Sequence, residues 1–282
     1  MTRLDDAEAA DATPPVILSE TGSFINDLWF EFDVTEQGTH GVGRASITPT
    51  MESAPSLVRP SVLLTIADCI AGVPAMHVAS PQLSVTLDMV VRIVSGRTGP
   101  ELAMTSELLK KGRNTVASEV RFTDAASGGL VALAFLTFMA SPRPQDLSPP
   151  ILDGMVMHGS MPVDFPDRVG LRTLAPGVTE IERSTFVQQA AGSVQGGIVA
   201  LLGETAAQSL TGLPVTELDA RFFTGVRVGP GRATAEDVGD GVVRVEVRDT
   251  GNADRLAALV TARVGHPPTG PAGTSVGGPV GA

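Results

Sequence analysis

The sequence predicts an α+β protein in which one unit of about 110–130 residues is used twice. Three observations carry this. Val58-Arg59-Pro60-Ser61 leads into an apolar run carrying Asp68, and Val194-Gln195-Gly196-Gly197 leads into a second run carrying Glu204. In both copies the acid follows Arg59 or Gln195 by the same nine positions, so it falls on the same helical turn. Each run is followed by four strand-like stretches, and Ser141–Pro150, with four prolines, separates the copies.

The elements follow in order. Residues 1–16 form an acidic, Ala-rich arm expected to be disordered. Trp29–Val34 alternates apolar and polar residues, as a half-buried strand does, and Val42–Thr48 repeats the pattern. Leu57–Ala71 is apolar on nearly all faces with Asp68 as its sole acid, which predicts a buried helix. Gln82–Val94, Glu101–Leu109, Asn114–Thr123 and Leu130–Ala140 then read as strands joined by turns at Gly96, Gly99, Gly112 and Gly128–Gly129. The second copy gives strands at Val169–Leu174 and Val178–Arg183, a helix at Ile198–Gln208, and strands at Glu217–Val226, Arg232–Val238, Val242–Arg248 and Leu256–Val264. These place a first unit at 17–142, a linker at 143–164, a second unit at 165–265 and a disordered Gly/Pro-rich tail at 266–282.

Composition narrows the functions. The net charge of −11 argues against a nucleic-acid partner. No apolar run is expected to reach the roughly 20 residues that span a bilayer, and the N-terminus lacks a basic-then-apolar signal, so the default location is cytoplasmic. Cys69 is the only cysteine, which excludes an internal disulfide, and the four histidines are scattered, which argues against a metal site. Cys69 adjoins Asp68; between a nucleophile and a small apolar residue packed inside a helix, the packing reading is preferred. The only two lysines, Lys110 and Lys111, stand beside Arg113 as the densest positive charge available to an anionic ligand.

The pattern resembles the hotdog-fold acyl-CoA thioesterases of the PaaI-like type, arranged in tandem. The likeness is carried by Gly192-Ser193-Val194-Gln195-Gly196-Gly197 before Glu204, by Ala67-Asp68 followed by Val85-Thr86-Leu87-Asp88-Met89, and by Leu108-Leu109-Lys110-Lys111-Gly112-Arg113 before Val116–Val120. The resemblance implies two hotdog units, each a curled antiparallel sheet wrapped around one long central helix, meeting as a pseudo-dimer with one site between them. It implies that Gly196 supplies a backbone N–H to the thioester oxygen, with Gln189, seven residues earlier, as the amide that orients the substrate. Gln195 stands where His is frequent, and Gly197 continues the substrate-binding backbone. The first unit would supply the carboxylate of Asp68 and the hydroxyl of Thr86. Lys110, Lys111 and Arg113 would meet the anionic end of coenzyme A, which enters as part of the substrate, so no separate cofactor is required. Further association into a homo-oligomer is common in such folds.

The reciprocal set is broken: Ser53 replaces the amide, Pro60 has no N–H to offer, and Glu217 stands at the hydroxyl position. That site is expected to be silent, with Glu204 serving packing. The expected activity is hydrolysis of acyl-CoA thioesters at one site per chain. The alternatives are a non-catalytic acyl-CoA binding or carrier module and, less well matched for want of a histidine near either acid, a hydratase.

Overall fold

A computed structural model describes residues 22–35, 38–79, 82–97, 99–144, 154–189 and 191–265. The arm at 1–16 and the tail at 266–282 lie outside the described residues. The first half contains strands β1 (Trp29–Val34), β2 (His40–Ser46), β3 (Glu52–Ala54) and β4 (Leu57–Val58), then helix α1 (Pro60–Ala79), then β5 (Gln82–Ile93), β6 (Glu101–Lys111), β7 (Thr115–Asp124) and β8 (Leu130–Pro144). The second half begins with β9 (Gly154–His158), a single turn α2 (Phe165–Arg168), β10 (Arg172–Ala175) and β11 (Val178–Ile181). Helix α3 (Gly196–Thr211) follows, then β12 (Val215–Phe222), β13 (Gly231–Gly239), β14 (Val242–Asp249) and β15 (Arg255–Val264).

The expected fold class, two curled sheets each closed around its own long helix, is corrected. Strands of both halves belong to one continuous 13-stranded antiparallel sheet, ordered β10-β11-β13-β14-β15-β12-β5-β8-β7-β6-β2-β1-β9. The halves join at the far edge, where β9 pairs with β1, and again where β12 pairs with β5, with Met89 opposite Ala220, Val90 opposite Asp219 and Asp88 opposite Arg221. The physical reason is edge satisfaction. Each half would expose an unpaired strand there, and pairing the two exposed backbones removes both edges. Periodicity reveals strands, but it carries no information about which edges meet. The α-helices among the described residues are α1, α2 and α3, and the two longer ones pack against each other as well as against the sheet.

Local chemistry sets the helix ends. Pro60 opens α1, where its missing N–H costs nothing and its fixed φ suits the first turn. The predicted start at Leu57 falls instead on β4, and the helix runs on to Ala79 through Pro74. At 20 residues, with a mean hydropathy of 1.7, α1 is long and apolar enough to cross a membrane, which corrects the expectation that no run approaches that length. In the fold it lies against β5, β8 and α3, and Val62, Leu63, Leu64 and Ile66 are fully buried. Helix α3 is capped at its start by the Gln195 side chain and ends at Gly212, whose φ of 71° is the left-handed conformation that glycine takes without strain. Within the stretch read as linker, Gly154–His158 forms β9 and pairs with β1 from Trp29 to Asp33.

The helices approach closely at Gly197. A methyl group there would collide with Thr65 Oγ1, which already donates to Ser61 O at 2.8 Å. Gly197→Ala is therefore expected to push α1 and α3 apart and to cost about 1–3 kcal/mol, the usual penalty for overpacking. Urea denaturation checks this; an unchanged midpoint would show that the contact relaxes freely.

Candidate functional site

Asp68 projects from α1 toward the start of α3 and joins residues from both halves. Its Oδ1 accepts from Thr86 Oγ1 at 2.8 Å, and its Oδ2 accepts from Gln195 Nε2 at 3.1 Å. Thr86 precedes a bulge in β5: it pairs with Phe138, Asp88 pairs with Thr137, and Leu87 is the extra residue. Bulges of this kind re-aim neighbouring side chains.

Gln195 serves three partners at once. Its carbonyl oxygen accepts from Gly197 N at 2.6 Å and Ile198 N at 3.3 Å, while its amide nitrogen faces the carboxylate. This orientation satisfies acceptor and donor together; the flipped amide would oppose all three. Because Gln195 caps Gly197 and Ile198 and passes over Gly196, the Gly196 N–H is left with no acceptor among the described residues. A free N–H at the positive end of a helix suits an oxygen that is gaining negative charge.

Thr86, Gln189 and Gly196 line one cavity of about 210 Å³. Asp68 and Gln195 stand directly behind this lining. The Gln189 amide donates to Ser193 Oγ at 2.8 Å, and Ser193 also lines the cavity. Phe222, Phe223 and Arg227 complete its mouth. A Cβ on Gly196 would fall 2.7 Å from Met89 Cε and 3.4 Å from Phe222 Cζ, so the glycine allows a close approach on this side.

Burial raises the Asp68 pKa to about 6, with the Thr86 and Gln195 hydrogen bonds holding it back from rising further. The Cys69 thiol is pushed up by burial and by the neighbouring Asp68 charge, which keeps it protonated and unsuited to nucleophilic attack. Among the described residues no three His, Cys, Asp or Glu side chains gather where a metal could be held.

The reciprocal position is built differently. Glu204 is 0% exposed; its Oε1 accepts from Arg59 Nη1 at 3.0 Å and its Oε2 from Ser61 N at 2.9 Å. Arg59 also donates to Gln208 Oε1 at 3.3 Å. An ion pair thus fills the place where the other copy holds Gln195 against Asp68.

Lys110, Lys111 and Arg113 are exposed at the β6–β7 turn, and they are not among the cavity-lining residues. Lys111 pairs with Val116, Val116 with Phe138, and Phe138 with Thr86. The lysines therefore lie three strand spacings from the hydroxyl, roughly 14 Å along the sheet. Sequence reasoning quoted Ser193 within a motif but gave it no role, and did not single out Phe223 or Arg227. Phe223 was submerged in a strand expected over Glu217–Val226 and Arg227 stood just past its end, whereas β12 ends at Phe222 and a loop follows.

No family model matches the sequence, and no curated protein matches it. Solved structures do. An acyl-ACP thioesterase from Bacteroides thetaiotaomicron superposes with a TM-score of 0.56 at 12% identity, over 82% of this chain and 99% of that chain. A 12:0-ACP thioesterase from Umbellularia californica gives 0.56 at 10% identity, over 79% and 96%. This chain shares their fold. At such identities the likeness concerns the path of the backbone, so chemistry has to be argued from the residues themselves.

Proposed function

We propose that the chain hydrolyses acyl thioesters, with acyl-CoA as the substrate, at one site between its two halves. The observation that supports this best is a carboxylate from the first half held against the residue that precedes a free helix-start N–H from the second, behind a shared cavity. The likeness in fold to proteins named thioesterases points the same way.

In this reading the thioester carbonyl lies against Gly196 N–H, and Gln189 orients it. Water sits between Thr86 and the carbonyl carbon. Asp68 takes a proton from that water as its oxygen bonds to the carbon, the resulting oxyanion is stabilised by Gly196, and collapse expels the thiolate. The products are the free acid and the thiol. A base with a pKa of about 6 is ionised at neutral pH yet still basic enough to work. The position of Asp68 behind the cavity lining favours water activation over direct attack to form an anhydride. Lys110, Lys111 and Arg113 are assigned to the anionic end of the carrier.

The test is release of free thiol from an acyl-CoA panel. Its rate is expected to climb as pH rises through about 6 and to level off above, because only ionised Asp68 accepts a proton. A rate that declines over this range would refute Asp68 as base. Calorimetric binding with no thiol release would instead make the protein an acyl-CoA carrier.

A further inference from the structure

The loop from Phe223 to Pro230, between β12 and β13, has a purpose-built support. Asp249, 0% exposed, accepts from three consecutive backbone N–H groups: Arg227 at 2.8 Å and Val228 at 3.1 Å through Oδ2, and Gly229 at 2.7 Å through Oδ1. One buried carboxylate therefore fixes the backbone of the residue whose side chain borders the cavity mouth. Beside this loop, Arg183 donates from Nε to Gly192 O at 3.0 Å, next to the cavity-lining Ser193.

Carboxylates partner Arg59, Arg97, Arg168, Arg172, Arg232 and Arg248, as an acidic protein readily allows. Arg113, Arg183, Arg227, Arg255 and Arg263 have no carboxylate partner among the described residues, and of these only Arg227 lines the cavity that Thr86 and Gly196 line. Arg183 lies against Gly192 and Gly229, beside the same loop. Phe223, 60% exposed, stands at the same mouth and offers an apolar face to whatever enters. A fixed loop, a guanidinium group with no carboxylate partner and an exposed aromatic ring have the chemistry that an anion on a flexible, partly apolar arm requires. Guanidinium forks match phosphate oxygens in geometry and charge.

We infer that Arg227, with Arg183 beside it, receives the phosphate group of the arm that carries the acyl thioester. This rests on the thioesterase reading and deepens it, because it names what the mouth recognises. The phosphate has two possible sources: a nucleotide carrier such as coenzyme A, or a phosphopantetheine arm attached to a protein.

The experiment compares hexanoyl-CoA, hexanoyl-pantetheine (which lacks the phosphate) and hexanoyl loaded on an acyl carrier protein. The wild type is expected to favour hexanoyl-CoA over hexanoyl-pantetheine by about tenfold or more in KM, the scale of a charge-assisted hydrogen bond. In Arg227→Gln that preference should collapse toward unity, and Arg227→Lys should restore part of it. Equal weakening of both substrates, or of neither, would overturn the inference and leave hydrolysis intact. A loss confined to hexanoyl-CoA assigns the phosphate to a nucleotide carrier; a matching loss with the protein-bound substrate assigns it to the protein arm. If no substrate releases thiol, the hydrolytic reading falls. Calorimetric titration of hexanoyl-CoA then decides the arginine separately, and an unchanged Kd in Arg227→Gln overturns its role.

Discussion

Asp68→Asn is expected to lower thiol release by about 10²–10⁴-fold, the range for a missing general base, while leaving the fold intact. The local geometry explains why this substitution separates chemistry from structure. The asparagine carbonyl can still accept from Gln195 Nε2, and its amide can donate to the Thr86 hydroxyl, which accepts as readily as it donates. Only the basic lone pair and the charge are lost.

The same substitution is expected to stabilise the protein. Folding raises the Asp68 pKa from 3.8 to about 6, so the folded state holds a proton that the unfolded chain has released between those values. Stability from this group is therefore fully present below about pH 4, declines as pH rises toward 6, and stays low above. The cost of the ionised group at neutral pH reaches up to about 3 kcal/mol, less where solvent reaches the half-buried side chain. Urea unfolding of both proteins at pH 4 and pH 7.5 should show a gap in favour of Asn that opens only at the higher pH. An Asn variant that is active, or less stable at pH 7.5, would remove Asp68 from the proposed role.

The sequence and the structure agree most where chemistry repeats. Equal spacing from Arg59 to Asp68 and from Gln195 to Glu204 marks both acids in the sequence, and the fold places Thr86, Gln189 and Gly196 on the lining of one cavity. Strand positions were legible because alternation is a local signal, as in Trp29–Val34. The single continuous sheet was not, since pairing of β5 with β12 depends on edges that no local pattern records. Strand β9 was hidden because five residues, Gly-Met-Val-Met-His, carry little periodic signal. Arg227 was hidden for the opposite reason: the apolar run before it looked like uninterrupted strand. The partner of Glu204 was in view as a position, but nothing in a chain of letters shows that Arg59 crosses to the other helix.

That crossing makes Glu204→Ala the variant with the largest expected effect on stability. The substitution would leave the Arg59 guanidinium, from a residue only 9% exposed, without its counter-charge, and the Ser61 N–H without its acceptor. Breaking one partner of a buried ion pair costs about 3–5 kcal/mol, mostly as the penalty for the stranded charge. The pair itself need not be worth that much. Replacing both members with apolar residues of similar size, as in Arg59→Met with Glu204→Leu, should recover most of the loss, because the desolvation cost of both charges disappears. Thiol release by the folded fraction should stay near wild type in the double variant, since neither residue lines the cavity. Urea midpoints for the two single variants and the double variant form a cycle whose interaction term measures the coupling. If Glu204→Ala instead stopped thiol release at unchanged stability, Glu204 would be working as a second catalytic acid, and the ion pair would be the resting form of a second site.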